Sequence, residues 1–409
     1  MREPTAPRPR PMSTGFVIGF MGLLLSFQPL STDVYLPSLQ LITQSLSLSV
    51  VQAQGTLLGM LLGFAVSQLF WGHHSDRIGR RRVLLAGTSL YVCSALLAAL
   101  APSGDWLLVA RVAMGCGLAA MVVCARALVR DLFDVHEGPQ AFAKALTGMA
   151  IAATLSGVLG GLLARWVPWR GTLGLLAVLA AGVLWLTWHR FEDSRPLAAA
   201  GHTPGWREVC AGWGRILVHR EFLLNTGLAA FTYTEAILFI GGSSLVLVGQ
   251  HGVRPDTFGY FMTAYSGCFL AGTMACRQVL HRAGRRMALL CGMLLSSGGM
   301  AAFLVLSLRA PWQEVHGLVA AQMAYMLGHG FNQVCSQAGA VAPFPKEAGT
   351  AAALSGTLMI LCCVGLGQVQ AVALSHSDAS LTAFAAFDAA MAVAFAWALR
   401  RQVAGVCRG

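Results

Sequence analysis

Between residues 16 and 399 the sequence is a succession of apolar runs, each closed by a charged, Pro-containing or Gly-containing break. A helix of about 20 residues crosses a hydrocarbon core, and runs at 16–38, 54–72, 83–101, 106–129, 142–164, 171–189, 221–248, 257–280, 287–308, 314–336, 348–374 and 380–399 have that length. The chain is therefore predicted to be an all-α membrane protein with twelve transmembrane helices. The first run is too long for a removable leader. It continues into Asp33-Val34-Tyr35-Leu36-Pro37 rather than a small-residue cleavage site, so it is expected to stay in the protein.

Only 11% of residues are charged and 56% are hydrophobic, where a soluble domain carries about 25% charged residues. Mean hydropathy is +0.65 and the pI is about 9.5. A net charge of +11 raises the question of nucleic acid, but its basic residues are scattered between the runs instead of gathered on one face. Their pattern is a topology signal. Arg2, Arg8 and Arg10, then Arg77 to Arg82, Arg130 with Lys144, Arg190 to Arg220, Arg282 with Arg285 and Arg286, Lys346, and finally Arg400 and Arg401 fall on one side. The positive-inside rule makes that side cytoplasmic, together with both termini.

The longest polar stretch, 190–220, divides the chain into a 1–15 tail, a six-helix bundle at 16–189, the linker itself, a second bundle at 221–400 and a 401–409 tail. Asp76-Arg77-Ile78-Gly79-Arg80-Arg81 has a weaker echo in His281-Arg282-Ala283-Gly284-Arg285-Arg286, each after the second run of its half. This internal repeat fits two related bundles. The segment Gly72 to Arg82 is expected to be a tight basic hairpin loop, with glycines making the turn and Asp76 accepting from a helix end. Gly72, Asp76, Arg77, Gly79, Arg80 and Arg81 are candidates for an inner gate, joined by Arg130 and Asp131 at the inner end of the fourth run. Arg126 belongs to the same end.

Ionisable groups inside a membrane run cost about 2.5 to 3.5 kcal/mol at the helix centre, so each needs a reason. Asp33 and Arg111 lie at similar depth in the first and fourth runs. If those helices touch, Arg111 holds Asp33 ionised and a proton competes for it. A group reaching water at the interface is the plainer alternative for Asp33, and tying helices together is the alternative for Arg111. Tyr35, Tyr233, Glu235 and Asp388 are candidates for a substrate cavity, the middle two within the polar and aromatic patch Phe231-Thr232-Tyr233-Thr234-Glu235. Pro29 and Pro37 bracket Asp33 and can bend its helix or end it. His329 is expected to bond a neighbouring helix, and Gly157, Gly160 and Gly161 to permit close packing. The eleven cysteines show no disulfide or metal-ligand spacing.

The chain resembles the major facilitator superfamily of transporters and, within it, the Bcr/CflA drug-resistance subgroup of proton-coupled antiporters. The resemblance rests on Ser31-Thr32-Asp33-Val34-Tyr35-Leu36-Pro37, on Gly72 to Arg82, on Arg111 with Gly115 and Gly117, and on Arg126 to Phe133, and it covers nearly the whole chain. It implies a bacterial inner-membrane exporter of small organic molecules driven by protons through alternating access, with Asp33 as the protonation site. Three departures stand out. His74 replaces a usual Leu, Ser156 stands in a span-five region that usually carries Pro, and Leu25, Ser26 and Gln28 fill a region where some relatives carry a second carboxylate.

A metabolite transporter of the same fold, for nucleosides or a sugar, is the competing reading. A membrane enzyme would need a clustered nucleophile, metal set or phosphate-binding loop, and none is present. A sensor would need an appended soluble domain. No cofactor or metal is expected; the expected partners are small substrates, protons and lipid, with the chain acting as a monomer.

Overall fold

A computed structural model describes residues 12–133, 137–193, 206–250, 252–309, 315–344, 347–374 and 379–406. Helix α1 (Thr14–Asp33) is followed by a 3₁₀ turn (Leu36–Ser38) and α2 (Leu39–Ser45). Then come α3 (Val50–Ile78), α4 (Arg80–Ala99), α5 (Gly104–Leu132), α6 (Gly138–Trp166) and α7 (Trp169–Arg190). A linker helix α8 (Trp206–Leu217) leads to α9 (Arg220–Ser243), which relaxes into a π-helical turn (Ser244–Gln250). Last are α10 (Pro255–Arg309), α11 (Val315–Val341), α12 (Ala348–Leu374) and α13 (Ala379–Val406).

Nine helical stretches among the described residues are long and apolar enough to cross a membrane. One of them, α10, is two spans in one, because Gly284 breaks it with φ 76° and ψ 176°. With α11 and α13 the spans number twelve, six on either side of the linker. The first differs from expectation. It runs on past residue 38 to Ser45, because Pro37 sits in the first turn of the 3₁₀ helix, where a missing N–H costs nothing. Regular α-helix is thus interrupted at Val34 and Tyr35, directly after Asp33.

Sequence signals set several helix starts. Ser13, Ser49 and Ser103 cap α1, α3 and α5, and Ser49 forms a full capping box with Gln52. The linker contributes a helix where a polar connection was expected: α8 buries Ile216 among Phe222, Ala340, Ala351 and Leu354, and Arg215 pairs with Glu347 at 2.7 Å.

The basic hairpin is a correction. Gly72 to Ile78 continues α3, α4 starts at Arg80, and Gly79 alone makes the turn with φ 93° and ψ 155°. Essentially only glycine occupies that region of backbone space, and Gly284 occupies it too. Gly72 is an ordinary helical residue facing Val123 and makes no turn. The echoed motifs therefore share one device, a one-residue break between consecutive spans.

At the end of the bundle opposite these turns the two halves are tied together. Ser244 donates to Leu36 O at 2.8 Å, and Arg165 of α6 pairs with Asp256 of α10 at 3.1 Å. Helices α6 and α10 cross closely there: a Cβ on Gly161 would lie 2.8 Å from Pro255 O, and one on Gly157 2.9 Å from Met262 Cβ. Nearer mid-span, Gln68 of α3 donates to Thr357 of α12 at 2.9 Å.

Candidate functional site

Asp33 is the last residue of α1, beside the interruption at Val34 and Tyr35. Its carboxylate accepts from Thr32 Oγ1 at 2.8 Å and from Ser156 Oγ of α6 at 3.0 Å. Helix α6 comes this close because Gly160 lies against the backbone of Asp33 and Val34, where a Cβ would sit 2.8 Å from Val34 Cα. The residue standing in the usual Pro region is thus a hydrogen-bond donor to the candidate proton carrier.

Arg111 does not pair with Asp33. It is fully buried on α5, and both terminal nitrogens donate to Ser31 O at 3.2 Å while Nε donates to Thr56 O at 3.4 Å. Its guanidinium lies 4.1 Å from the centroid of the Tyr35 ring, a cation–π contact. Tyr35 is itself buried and hydrogen bonded to Thr56 at 2.6 Å, so it is a packing partner of Arg111 and not a cavity wall. Tyr91 of α4 bonds Ser31 Oγ at 2.6 Å and completes the cluster. The reason for the difference is direction: equal depth brings Arg111 to the carbonyl of Ser31, while the side chain two residues on turns toward α6.

The three other cavity candidates separate. Tyr233 is half-buried, packs against the core of the first half, and is within electrostatic reach of Asp33. Glu235, two residues later, turns to the opposite face of α9 and into the interior of the second half, where it is 1% exposed. Asp388 of α13 is equally buried. His329 is also buried; its ring lies over Phe269 and its Nδ1 has no hydrogen-bond partner, contrary to the expected bond with a neighbouring helix.

At the basic turns, Arg80 is fully buried and every part of its fork is used. It donates to Asp131 of α5 at 2.8 Å, Ser75 at 2.6 Å and Asp76 at 2.6 Å. Its backbone N–H donates to Asp193 at 3.0 Å, so a carboxylate from beyond α7 caps α4. Arg81 reaches the carbonyls of Phe191 and Trp188. Arg77 is exposed, and the side chain of Arg130 lies outside the described residues. In the second half Arg285 donates to Asn225 at 2.7 Å and to Glu221 at 3.4 Å. Asp193, Ser75, Ser156 and Thr56 were not singled out as site residues by sequence reasoning. The hydrogen-bonding demand of Arg80 and Asp33 was the available signal, but it names no partner.

No group of three metal-ligating side chains occurs among the described residues, and each described cysteine is free.

The sequence pattern of the Major Facilitator Superfamily matches residues 20–365. The chain is 28% identical to the bicyclomycin resistance protein homolog of Haemophilus influenzae over 61% of its length and 62% of that protein's. It is 27% identical to the MFS-type transporter YdgK of Bacillus subtilis over 88% of this chain and 90% of that one, and 28% identical to multidrug resistance protein D of Escherichia coli over 82% and 83%. Among solved structures, a bacterial homologue of the human lysosomal transporter Spinster, inward-facing and occupied, superposes with a TM-score of 0.73 at 15% identity, covering 97% of this chain and 98% of that one. The D-xylose–proton symporter superposes with a TM-score of 0.69 at 16% identity, over 93% and 96%. The fold and the relatives are those of transporters, not of enzymes. An all-helical, multi-pass membrane protein with the one-residue basic turn in place, the chain belongs to the Major Facilitator Superfamily.

Proposed function

We propose that the protein exports drugs or other small organic molecules from a bacterial cell across the inner membrane in exchange for protons, as a monomer with both termini in the cytoplasm. Its relatives include proteins named for resistance to bicyclomycin, to chloramphenicol and to multiple drugs, which favours this reading over a nucleoside or sugar transporter. The observation that carries it is Asp33: a carboxylate at an interruption in a membrane helix, held by two hydroxyls and by no cation among the described residues, and facing the second half through Tyr233.

Protonation removes the charge for which Thr32 and Ser156 are organised, and with it the tie between α1 and α6. Arg111 acts as an architectural residue that fixes the Ser31 carbonyl, and hence the end of α1 that carries Asp33. The side holding the basic turns is cytoplasmic, so the ties at Leu36, Arg165 and Gly161 close the outer face. Substrate enters between the halves near Tyr233, and the Arg80 cluster breaks and re-forms as the halves rock. The test is pH-gradient-driven extrusion of chloramphenicol in inverted vesicles, read with a pH-sensitive dye; transport without proton movement overturns the reading.

A further inference from the structure

Among the described residues, Glu235 and Asp388 are deeply buried carboxyls with no cation beside them. Each is 1% exposed, and none of their four carboxyl oxygens reaches good hydrogen-bond geometry, although the side chains of Gln322 and Tyr325 lie against Glu235. They lie within electrostatic reach of each other, Glu235 on α9 and Asp388 on α13. The side chains about them are polar. Gln322 of α11, fully buried and beside Glu235, has neither its amide oxygen nor its nitrogen bonded. The Tyr265 hydroxyl of α10 is also free, and Tyr325 of α11 spends its hydroxyl on Thr232 O at 3.3 Å.

The titratable groups facing the pair are Tyr265 and Tyr325 toward Glu235, and Cys362 and Cys363 of α12 toward Asp388. None is a cation. Helix α3 approaches α9 elsewhere, through Leu57 at Gly241.

Two carboxylates without a counter-charge in a low-dielectric interior do not both ionise, because each charge raises the cost of the other. A permanently apolar role is equally poor, since isosteric amides or hydrocarbons would pack there without the penalty. We infer that Glu235 and Asp388 form a second proton-binding site, inside the C-terminal half and separate from Asp33, that takes up and gives up one proton per transport cycle. The bound proton is a carboxylic O–H on one of the pair; on release it passes to water, and the negative charge left behind is shared by the two carboxyls and solvated by Gln322 and Tyr265. Rotation of α9 or α13 as the halves rock changes access to the pair. This inference rests on the proton-driven reading above, to which it adds stoichiometry.

Infrared difference spectroscopy on the full-length protein in detergent tests it directly. The parent should show a protonated-carboxyl stretch that titrates with pH and survives in Asp33→Asn, but disappears from Glu235→Gln/Asp388→Asn. The single variants each retain one titrating carboxyl, so they decide the matter if the double variant does not fold. In proteoliposomes, with chloramphenicol as probe, the double variant should move one proton fewer per molecule, with coupling at Asp33 intact. An unchanged carboxyl band in the double variant overturns the site, as does a band that responds to sodium ions instead of pH. Loss of coupling in Asp33→Asn alongside such a result removes the second site only; intact coupling in Asp33→Asn with a titrating pair removes the role of Asp33 only.

Discussion

Ser156 of α6 donates its hydroxyl to the Asp33 carboxylate at the end of α1 across 3.0 Å, so the candidate proton carrier is held by a neighbouring helix and not by the arginine at its own depth. Asp33→Asn keeps the shape and removes the titrating proton. Extrusion driven by a pH gradient should be abolished while equilibrium binding of chloramphenicol persists. Gradient-driven transport equal to that of the parent would move coupling away from this residue.

Arg111 should behave as architecture. Arg111→Leu takes the donor from the Ser31 carbonyl in the last turn of α1, and leaving that group unsatisfied costs about 1 to 3 kcal/mol. A lowered thermal midpoint in detergent is the expected result. Arg111→Lys should recover little of the loss, since a point charge does not reproduce the planar fork over Tyr35. Normal stability with lost proton coupling would reverse the assignment.

The inner-gate cluster around Arg80 extends to Asp193. Asp193→Ala removes the cap of α4, worth about 1 kcal/mol, and frees the Arg80 backbone amide. Turnover should fall in Asp193→Ala, and also in Asp76→Asn, which removes the charge paired with Arg80, with substrate affinity close to normal, because both residues lie far from a mid-membrane site. Stopped-flow transport beside binding isotherms separates the two quantities; a change in affinity alone would place these residues in the binding site.

Closure at the opposite end has its own handle. In Arg165→Cys/Asp256→Cys, a cleavable thiol-reactive crosslinker long enough to replace the Arg165 side chain should join α6 to α10 where the ion pair now does, and transport should stop until the linker is cleaved. Continued cycling in the linked protein would show that this end need not open.

Reporter fusions at Val253 and Gly409 should give opposite signals, because the first follows the seventh span and the second the twelfth. Identical signals would overturn the orientation.

Much of this architecture is legible in the residues. Apolar length alone locates the spans, since lipid leaves a backbone no other way to satisfy its amides. Helix ends are less legible. Helix α3 reaches Ile78 and not residue 72 because Ser75 and Asp76 bond Arg80 from within the helix, so polar residues that read as loop are helical. Partner choice is least legible. Depth placed Asp33 and Arg111 together, yet side-chain direction separates them, and Asp193 reaches Arg80 from 113 residues away. Sequence also grouped Tyr233 with Glu235, two neighbours that a helix turns toward different halves of the molecule.

The one-residue turn at Gly79 also bears on how the chain meets proteases. Arg77, Arg80, Arg81 and Arg82 make this the most arginine-dense stretch of the sequence, and on paper the first place trypsin would cut. A protease must draw several residues of extended backbone into its cleft, and here helix runs up to Ile78 and resumes at Arg80. With Arg80 buried and its amide capped, the stretch richest in cleavage sites should survive digestion as long as the fold does.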